Sequence, residues 1–455
     1  MNDIHHFFSV LSLPAAILFV SPFVLLLLSI AILPLALPHF WEKNRNKAII
    51  AAIFGLPVAL PFLFMDWHIV FKTFLEYATF IGLLAALFII SGGIHIRGSF
   101  KGEPVINTLF MAIGAVLANF IGTTGASVLL IRPLIRANHN RHHKAHTIIF
   151  FIFIVSNCSG LLTPLGDPPL FLGFIKGVDF MWTLRLFPQF VLITSILLVI
   201  YYFLDRYYFI RECNTACQVA LKEEPVLSER FAIEGKRNFV LLILIIATNI
   251  FAGYVLYPKE GHMILGEPFG VIVSQTTQLS VFLILSMLSY NITPNRIHEA
   301  NHFQFHPIIE VAVLFAGIFA AMIPALMILE SWGGRLGITE LWQFFWFTGG
   351  LSSFLDNAPT YLTFTSLAKG ALGLGGMGLS ELAAHPFGAK ILAAISCGAV
   401  MMGANTYIGN GPNFMVKAIA EHAKIKMPGF FHYMLWSVSV LMPIFLVITY
   451  AFFLR

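Results

Sequence analysis

Long runs of apolar residues recur along the whole chain and are separated by short polar segments. Each run holds about 20 residues, the length that an α-helix needs to cross a hydrocarbon core of about 30 Å. Alternating ten-residue segments, typical of membrane β-barrels, do not occur, so we predict helices. The predicted spanning helices cover residues 10–36, 48–65, 73–92, 146–175, 183–204, 237–257, 277–293, 306–328, 388–416 and 430–453.

Two further apolar stretches, residues 104–137 and 338–368, have a different pattern. Each carries a polar cluster at its centre, made of Gly and Thr in the first and of Asp, Asn and Pro in the second. A simple spanning helix has no reason to place such a cluster at its centre. Two half-helices that meet at a polar tip would place it there. We therefore predict two re-entrant hairpins, each entering and leaving the membrane on one face.

Composition and charge agree with a membrane protein. The 455 residues are 58% hydrophobic and only 11% charged, whereas soluble chains carry about 25% charged residues. With the two hairpins counted as returning, 19 of the 27 Lys and Arg residues fall on one side of the membrane. The positive-inside rule makes that side cytoplasmic. We expect a multi-pass protein of the inner (plasma) membrane, with both termini outside and the long basic loops cytoplasmic.

The chain also shows an internal repeat. Residues 163–171 align with residues 406–414 at an offset of 243, and residues 120–125 lie opposite 354–359 at an offset of 234. Each half would hold five crossings and one hairpin, and because five is odd the second half is inverted. We predict a first repeat at 1–204, a cytoplasmic linker at 205–236 and a second repeat at 237–455, with a substrate site between broken helices at the midplane. Hairpin 104–137 would open to the cytoplasm and hairpin 338–368 to the outside.

Oxygen-bearing side chains cluster at the predicted helix breaks. Pro and Gly inside a span free backbone groups from helical bonding, which is costly in lipid unless those groups bind something. Helix C-termini attract cations and N-termini attract anions, and small polar side chains complete an oxygen cage for Na⁺. Na⁺ candidates are Ser156, Asn157, Asn357 and Asn405; further ion or substrate ligands are Asn119, Thr123, Thr124, Thr163, Gly166, Asp167, Asp356, Thr360, Thr406 and Asn410.

Asp167 and Asp356 each lie within a predicted break. A charge at the bilayer centre costs about 2.5–3.5 kcal/mol on insertion scales, so either carboxylate is a candidate proton carrier or cation ligand. Asp167 directly precedes Pro168, and a structural helix cap is the alternative role. The two roles are compatible, and the sequence leaves both open.

The polar loop 138–146 resembles a metal cluster because His142 and His146 have i, i+4 spacing. No Cys or carboxylate joins them, so we expect a basic loop that faces anionic lipid. We expect Glu76 and Glu310 to lie near helix ends in contact with solvent. No phosphate-binding loop, dinucleotide fingerprint or nucleophile elbow stands in a credible setting, and we expect no enzyme activity.

The motifs resemble those of the ion transporter superfamily, which includes arsenite permeases, citrate and dicarboxylate carriers and NhaD-type sodium/proton antiporters. The first broken helix of that group is similar to residues 157–169, its second hairpin to 353–360 and its second broken helix to 403–413. The resemblance implies an all-α integral membrane protein of about 10–11 transmembrane helices plus two re-entrant hairpins, with inverted structural repeats. It also implies a scaffold domain, a transport domain that slides as an elevator, and a homodimer.

The hairpin tips depart from those of dicarboxylate carriers, which usually show Ser-Asn-Thr at both. Here the first tip is Asn119 to Thr124 and the second is Asp356 to Thr360, and an acidic tip disfavours a nearby dianion. The sequence therefore predicts a Na⁺/H⁺ antiporter; the alternative is Na⁺- or H⁺-coupled transport of a carboxylate or oxyanion. A channel or membrane-bound enzyme is less favoured. Na⁺ and H⁺ are expected as transported or coupling ions without other cofactors, and lipids, but no nucleic acid, as partners.

Overall fold

The computed structural model describes residues 7–8, 11–98, 100–216, 232–256, 263–264 and 267–454. This part of the chain is almost entirely helical. The helices are α1 Leu13–Ala36, α2 Pro38–Trp41, α3 Asn44–Met65, α4 Trp67–Gly92, α5 Pro104–Ala137, α6 Ala145–Phe153, α7 Pro168–Ile175, α8 Phe187–Ala216, α9 Arg237–Phe251, α10 Phe269–Ile292, α11 Asn295–Ala300, α12 His306–Trp332, α13 Leu341–Ser352, α14 Asn357–Ala371, α15 Leu379–Ala384, α16 Pro386–Met402, α17 Gly411–His422 and α18 Phe430–Ile448. Two short antiparallel pairs join β1 His95–Arg97 to β2 Ala232–Glu234 and β3 Met263–Ile264 to β4 Glu267–Pro268.

Ten of the described helices are long and apolar enough to cross a membrane, which confirms an all-α integral membrane protein. The main boundary error concerns α8, predicted to end at residue 204. It continues to Ala216, so the predicted linker begins in a helix, and residues 217–231 of that linker lie outside the described part. The error has a physical cause: Asp205 is fully buried and paired with Arg141, so this charge does not end the helix.

α5 folds back on itself at its centre. Gly122 has φ 76° and ψ 155°, which is not helical, and the chain reverses there. In a straight helix Asn107 and Asn138 would lie about 46 Å apart. Instead their side-chain amides exchange two hydrogen bonds of 2.9 and 2.8 Å. The two arms therefore run side by side, and their re-entry into the membrane on one face stays a prediction.

α13 and α14 form a second hairpin around residues 353–356. The end of α14 returns to the segment that precedes α13, where a Cβ on Gly333 would lie 2.4 Å from the carbonyl oxygen of Leu367. α14 also packs along α12. The polar cluster at 353–360 is thus the turn of the hairpin and the start of its second arm.

Two helices are interrupted where the sequence predicts it. α6 continues as a π-helical turn to Cys158, and an irregular segment leads to Asp167, after which α7 begins. α16 continues as a 3₁₀ turn to Asn405, and an irregular segment leads to Asn410, after which α17 begins. α17 extends to residue 422, six residues beyond the predicted end. The breaks and both hairpin tips come together beside α4 and α12.

Candidate functional site

The carboxylate of Asp167 is the centre of the polar cluster. It accepts hydrogen bonds from Thr123 Oγ1 at 2.7 Å, from Asn357 Nδ2, and from Asn410 Nδ2 at 3.5 Å. The Asp167 residue is 1% exposed. These four residues come from the tip of the first hairpin, the first broken helix, the second hairpin and the second broken helix. All four predicted motifs therefore meet at one carboxylate.

The two acidic residues have different local roles. Asp167 precedes α7, but its side chain accepts no hydrogen bond from that helix, so the cap interpretation is not supported by its contacts. Asp356 does cap α14, because its Oδ1 accepts from the amide of Ala358 at 3.2 Å. Asp356 also borders the same cavity as Asp167. The carboxylate of Asp167 is thus available to the cluster, and that of Asp356 is partly engaged by its own helix.

Residues paired by the sequence alignment make equivalent contacts. The hydroxyl of Thr163 donates to the backbone oxygen of Asn119, and the hydroxyl of Thr406 donates to that of Ser353 at 2.5 Å. The offsets, 243 and 234, are those found in the sequence. Each threonine also accepts a hydrogen bond from the amide two residues later, at 3.2 Å in the first half and 3.3 Å in the second. These threonines attach each broken helix to its own hairpin tip.

The glycines of the two breaks allow close backbone approaches. A Cβ on Gly166 would lie 2.5 Å from the carbonyl oxygen of Gly160, and one on Gly409 would lie 2.6 Å from that of Gly403. Backbone carbonyls cannot move aside as a flexible side chain does. Gly166 also accepts a hydrogen bond from the amide of Thr123 at 2.8 Å, which positions the hairpin tip next to Asp167.

Side-chain amides join the two halves behind this carboxylate. Asn157 Nδ2 donates to Asn413 Oδ1 at 2.6 Å, and Asn410 Nδ2 donates to Asn157 Oδ1 at 3.1 Å. Ser156 shares a hydrogen bond of 2.8 Å with Ser127, and its backbone oxygen accepts from Asn410 at 3.3 Å. The sequence analysis did not single out Asn413 as a site residue, although it belongs to the second motif.

The other predicted residues lie around the cluster. Thr124 lines the cavity, and Asn119 Oδ1 accepts from the amide of Leu162 at 2.7 Å. Thr360 bonds to the backbone oxygen of Asp356 within its own helix and makes no side-chain contact to the Asp167 cluster. Asn405 Nδ2 donates to the hydroxyl of Ser353 at 2.8 Å, so it supports the second hairpin tip.

Two amide oxygens at the site have no partner among the described residues. They are Asn357 Oδ1 and Asn405 Oδ1, on residues that are 0% and 5% exposed. Buried polar atoms are nearly always satisfied, so an acceptor without a donor indicates a place for water or a cation. Oxygen ligands of this type suit hard cations. Both residues were predicted as Na⁺ ligands, and that role stays a prediction, since four other buried amide oxygens of the described residues also have no partner.

A cavity of about 100 Å³ adjoins Asp167. Its polar lining is formed by Thr123, Thr124, Asp167, Asp356 and Asn410. Its apolar lining comes from α4, from α12 and from hairpin and break residues such as Ile121, Leu165 and Phe171. No Lys, Arg or His is among the described residues that line it. The cavity thus combines two carboxylates with neutral polar groups, without a balancing basic side chain.

A comparison with known protein families gives one match over nearly the whole chain. The family model, described as putative citrate transport, matches residues 12–453. The chain belongs to this family. No curated protein matches it. The match confirms the predicted relation to citrate-transporter-like proteins of the ion transporter superfamily. With the apolar helices it identifies the chain as a membrane-embedded secondary transporter, and membership of a transporter family implies a protein that is not an enzyme.

The half-helix N-termini of this transporter offer few amides to an anion. α7 begins with Pro168 and Pro169, which have no N–H group, and Pro412 stands at the second position of α17. In α14 the amide of Ala358 already donates to Asp356, and the next residue is Pro359. Helix N-termini bind anions through free amides. These three helix starts are therefore poorly equipped for that purpose, and at the fourth, the second arm of α5, the amide of Thr123 already donates to Gly166.

Two residues of the histidine-containing loop do not have the predicted lipid-facing role, whereas His139, His142 and His143 are exposed. His146 is 3% exposed, and its Nε2 lies 2.9 Å from Asp205 Oδ1, while Arg141 contacts both Asp205 and Glu212. Burial alone would lower the pKa of Arg141, but Asp205 and Glu212 raise it above its ordinary value. Arg141 and His146 therefore do not face lipid, because they pair with the buried carboxylate of Asp205. Among the described residues, no group of three or more His, Cys, Asp or Glu could hold a metal ion.

The expectation that two glutamates contact solvent is wrong for one of them. Glu76 is 3% exposed, and its Oε2 lies 2.5 Å from Nζ of Lys176, just beyond α7. Glu310 is partly exposed and lies 2.6 Å from Nζ of Lys47. A buried carboxylate in a membrane helix needs such a partner, since an isolated charge there is strongly unfavourable.

Proposed function

We propose that this transporter exchanges Na⁺ for H⁺. The observation that carries the proposal is the cavity, which brings the carboxylates of Asp167 and Asp356 to neutral oxygen ligands without a basic residue among its described lining. Such a site attracts a cation and repels a dianion. Asn357, which donates to Asp167, and Asn405, which supports the second hairpin tip, each carry a free amide oxygen, although neither residue lines the cavity.

The exchange chemistry follows from the cost of burying charge. A carboxylate in a site closed from water is stable when it is protonated or paired with a cation, and it is costly when bare. Asp167 would bind Na⁺ through the oxygen that Thr123 now satisfies, or would take a proton instead. Asp356 would supply the second carboxylate at the cavity wall. A site that translocates only when it carries Na⁺ or H⁺ couples the two ions.

The movement would be of the elevator type, with the hairpins and broken helices sliding together against a scaffold. This is supported by the cavity, because its polar lining comes only from the hairpins and breaks, whereas α4 and α12 contribute only apolar side chains. An apolar wall without ligands lets the polar cluster pass. In this proposal the transporter sits in the inner (plasma) membrane as a homodimer, with its basic loops in the cytoplasm and its two repeats inverted.

The second candidate is Na⁺- or H⁺-coupled transport of a carboxylate such as citrate, or of an oxyanion. The description of the family favours it. In that case the oxygen ligands would bind the coupling ion and the anion would need donors. Pro168, Pro169, Pro359 and Pro412 remove N–H groups from three of the four helix starts at the cavity, which is why we rank this function second.

The test measures Na⁺-dependent proton movement in proteoliposomes with an internal pH-sensitive dye. Wild type should dissipate a preset pH gradient on addition of Na⁺, and Asp167→Asn and Asp356→Asn should abolish this. Asp66→Asn is the matched control, because Asp66 caps α4 through the amide of His68 and does not line the cavity. If Na⁺ leaves the wild-type gradient intact, exchange of this ion is refuted. Uptake of labelled citrate, succinate and arsenite under a Na⁺ gradient then tests the second candidate.

A further inference from the structure

A groove of about 660 Å³ runs along the second hairpin, on the side of α13. It starts at the segment between α12 and α13 and continues towards the hairpin tip. Its described lining is apolar except for one glutamine: Leu336, Gly337, Ile338, Gln343, Trp346, Phe347, Gly350, Leu351 and Phe364. It is separate from the cavity at Asp167, since the two share no lining residue.

Two of the three side-chain polar atoms of this lining are already bonded. Oε1 of Gln343 accepts from the amides of Thr339 at 2.9 Å and Glu340 at 3.0 Å, where it forms a capping box. The indole N–H of Trp346 donates to Thr449 Oγ1 at 3.0 Å. An ordered water needs two to four polar partners, and among the described side chains of this groove only Nε2 of Gln343 has no partner. The groove therefore presents a hydrocarbon-like surface.

The length of the groove fits one membrane leaflet. From Gln343 to Leu351 the helix rises about 12 Å, and half of a hydrocarbon core of about 30 Å is about 15 Å. The groove ends near residues 353–356, the hairpin tip that carries Asp356. Its inner end thus lies at the depth of the ion site, if the tip reaches the bilayer midplane as proposed.

A positive charge stands next to the other end of the groove. Arg335 is exposed, directly precedes Leu336 and lies 5.8 Å from the ring centre of Trp332. No carboxylate is in ion-pair contact with it among the described residues. An arginine in this position suits a phosphate, which its guanidinium binds by charge-assisted hydrogen bonds. Tryptophan beside it is typical of the membrane–water interface.

We propose that this groove is a phospholipid site, in which one acyl chain lies along α13 from Leu336 to Leu351 and the phosphate contacts Arg335. The acyl chain would cover Phe347 on the first arm and Phe364 on the second arm of the hairpin. The site is independent of the ion that the transporter carries. Loss of Na⁺/H⁺ exchange in the test above would therefore leave this proposal standing.

Gly350 provides a selective variant. A Cβ added there meets no atom within 4 Å, so a side chain enters the groove without displacing protein atoms. Gly350→Leu should fill the floor of the groove, whereas Gly350→Ala adds one methyl group and should leave room for the chain. Both replace a helical glycine and should gain helix propensity, so neither should unfold the protein.

The experiment reconstitutes the full-length protein in nanodiscs with a phospholipid that carries a photoreactive diazirine in its acyl chain, and maps the labelled residues by mass spectrometry. We expect strong labelling within residues 343–351 of wild type and Gly350→Ala, and at least a five-fold loss in Gly350→Leu. The exposed face of α1, with Leu18 and Leu25, contacts bulk lipid and should label equally in all three. Arg335→Gln should lower labelling in the groove several-fold, and Arg335→Lys should largely retain it.

The proposal is overturned if residues 343–351 label no more strongly than α1, or if Gly350→Leu labels like wild type. A groove covered by a second copy of the chain would escape labelling in every variant, which also overturns it. Thermal unfolding of each variant separates a filled groove from a misfolded protein. The wild-type labelling pattern alone still tests the proposal if Gly350→Leu fails to fold.

Discussion

Gly122→Ala should destabilise the protein more than its single methyl group suggests. At φ 76° and ψ 155° the residue occupies a conformation that is essentially restricted to glycine, and a non-glycine residue there costs about 1–3 kcal/mol. The new Cβ would also lie 3.3 Å from the carbonyl oxygen of Leu165, which must shift by a few tenths of an ångström. The adjacent Thr123 bonds to Gly166 and Asp167, so the same strain would disturb the ion site.

The measurement compares the free energy of unfolding of Gly122→Ala with that of Gly350→Ala, by tryptophan fluorescence in mixed micelles. Gly350 is helical with open space around it, so alanine should stabilise by up to about 1 kcal/mol. We expect the two variants to differ by about 2–4 kcal/mol. If Gly122→Ala is as stable as Gly350→Ala, the chain does not reverse at residue 122 and the reasoning about the first hairpin fails.

Three further predictions test other contacts. Lys176→Met leaves the buried carboxylate of Glu76 unpaired and should lower the free energy of unfolding by about 3–5 kcal/mol. The double variant Lys176→Met, Glu76→Gln should recover most of that loss. Equal losses in the single and the double variant would contradict this prediction. Gly409→Ala would place a Cβ 2.6 Å from a backbone carbonyl oxygen, and its Na⁺-driven proton flux should fall at least ten-fold; an unchanged flux would mean that the break tolerates a side chain. Thr123→Val removes a donor to Asp167 worth about 1 kcal/mol, so the Na⁺ concentration for half-maximal flux should change about five-fold in dose–response curves.

Much of the fold could be predicted from the sequence because membrane helices have a strong signal. The central polar cluster of residues 104–137 indicated a hairpin, and the Asn107–Asn138 pair shows that the arms meet. The end of α8 could not be predicted, because an aspartate such as Asp205 is expected at the surface unless its buried partners are known. Those partners, Arg141 and His146, are about 60 residues away in the chain, and hydropathy contains no information about such contacts.

The candidate site was predicted as a set of residue types, but its pairings were not. The repeat at offset 243 aligns Asp167 with Asn410, and in the structure their side chains are in contact. Asn413 was missed because a single amide carries no sequence signal of its own, although it bonds to Asn157 across 256 positions. The unpaired oxygen of Asn357 is likewise a property of the packing, since any asparagine can be fully bonded elsewhere.

The two hairpins differ in how their arms are joined, and this makes the halves of the transporter mechanically unequal. At the open end of the first hairpin, Asn107 bonds to Asn138 and to Asp205 of α8, all of them buried. The arms cannot part without breaking these hydrogen bonds, so in the proposed elevator the first hairpin would move as one block together with α8. The second hairpin has an apolar groove along its first arm instead, and hydrocarbon surfaces slide and separate without leaving polar groups unpaired. In the proposed elevator, bending along the groove would therefore involve the first arm of the second hairpin, while its second arm stays tied to α12 by the Lys369–Glu330 ion pair.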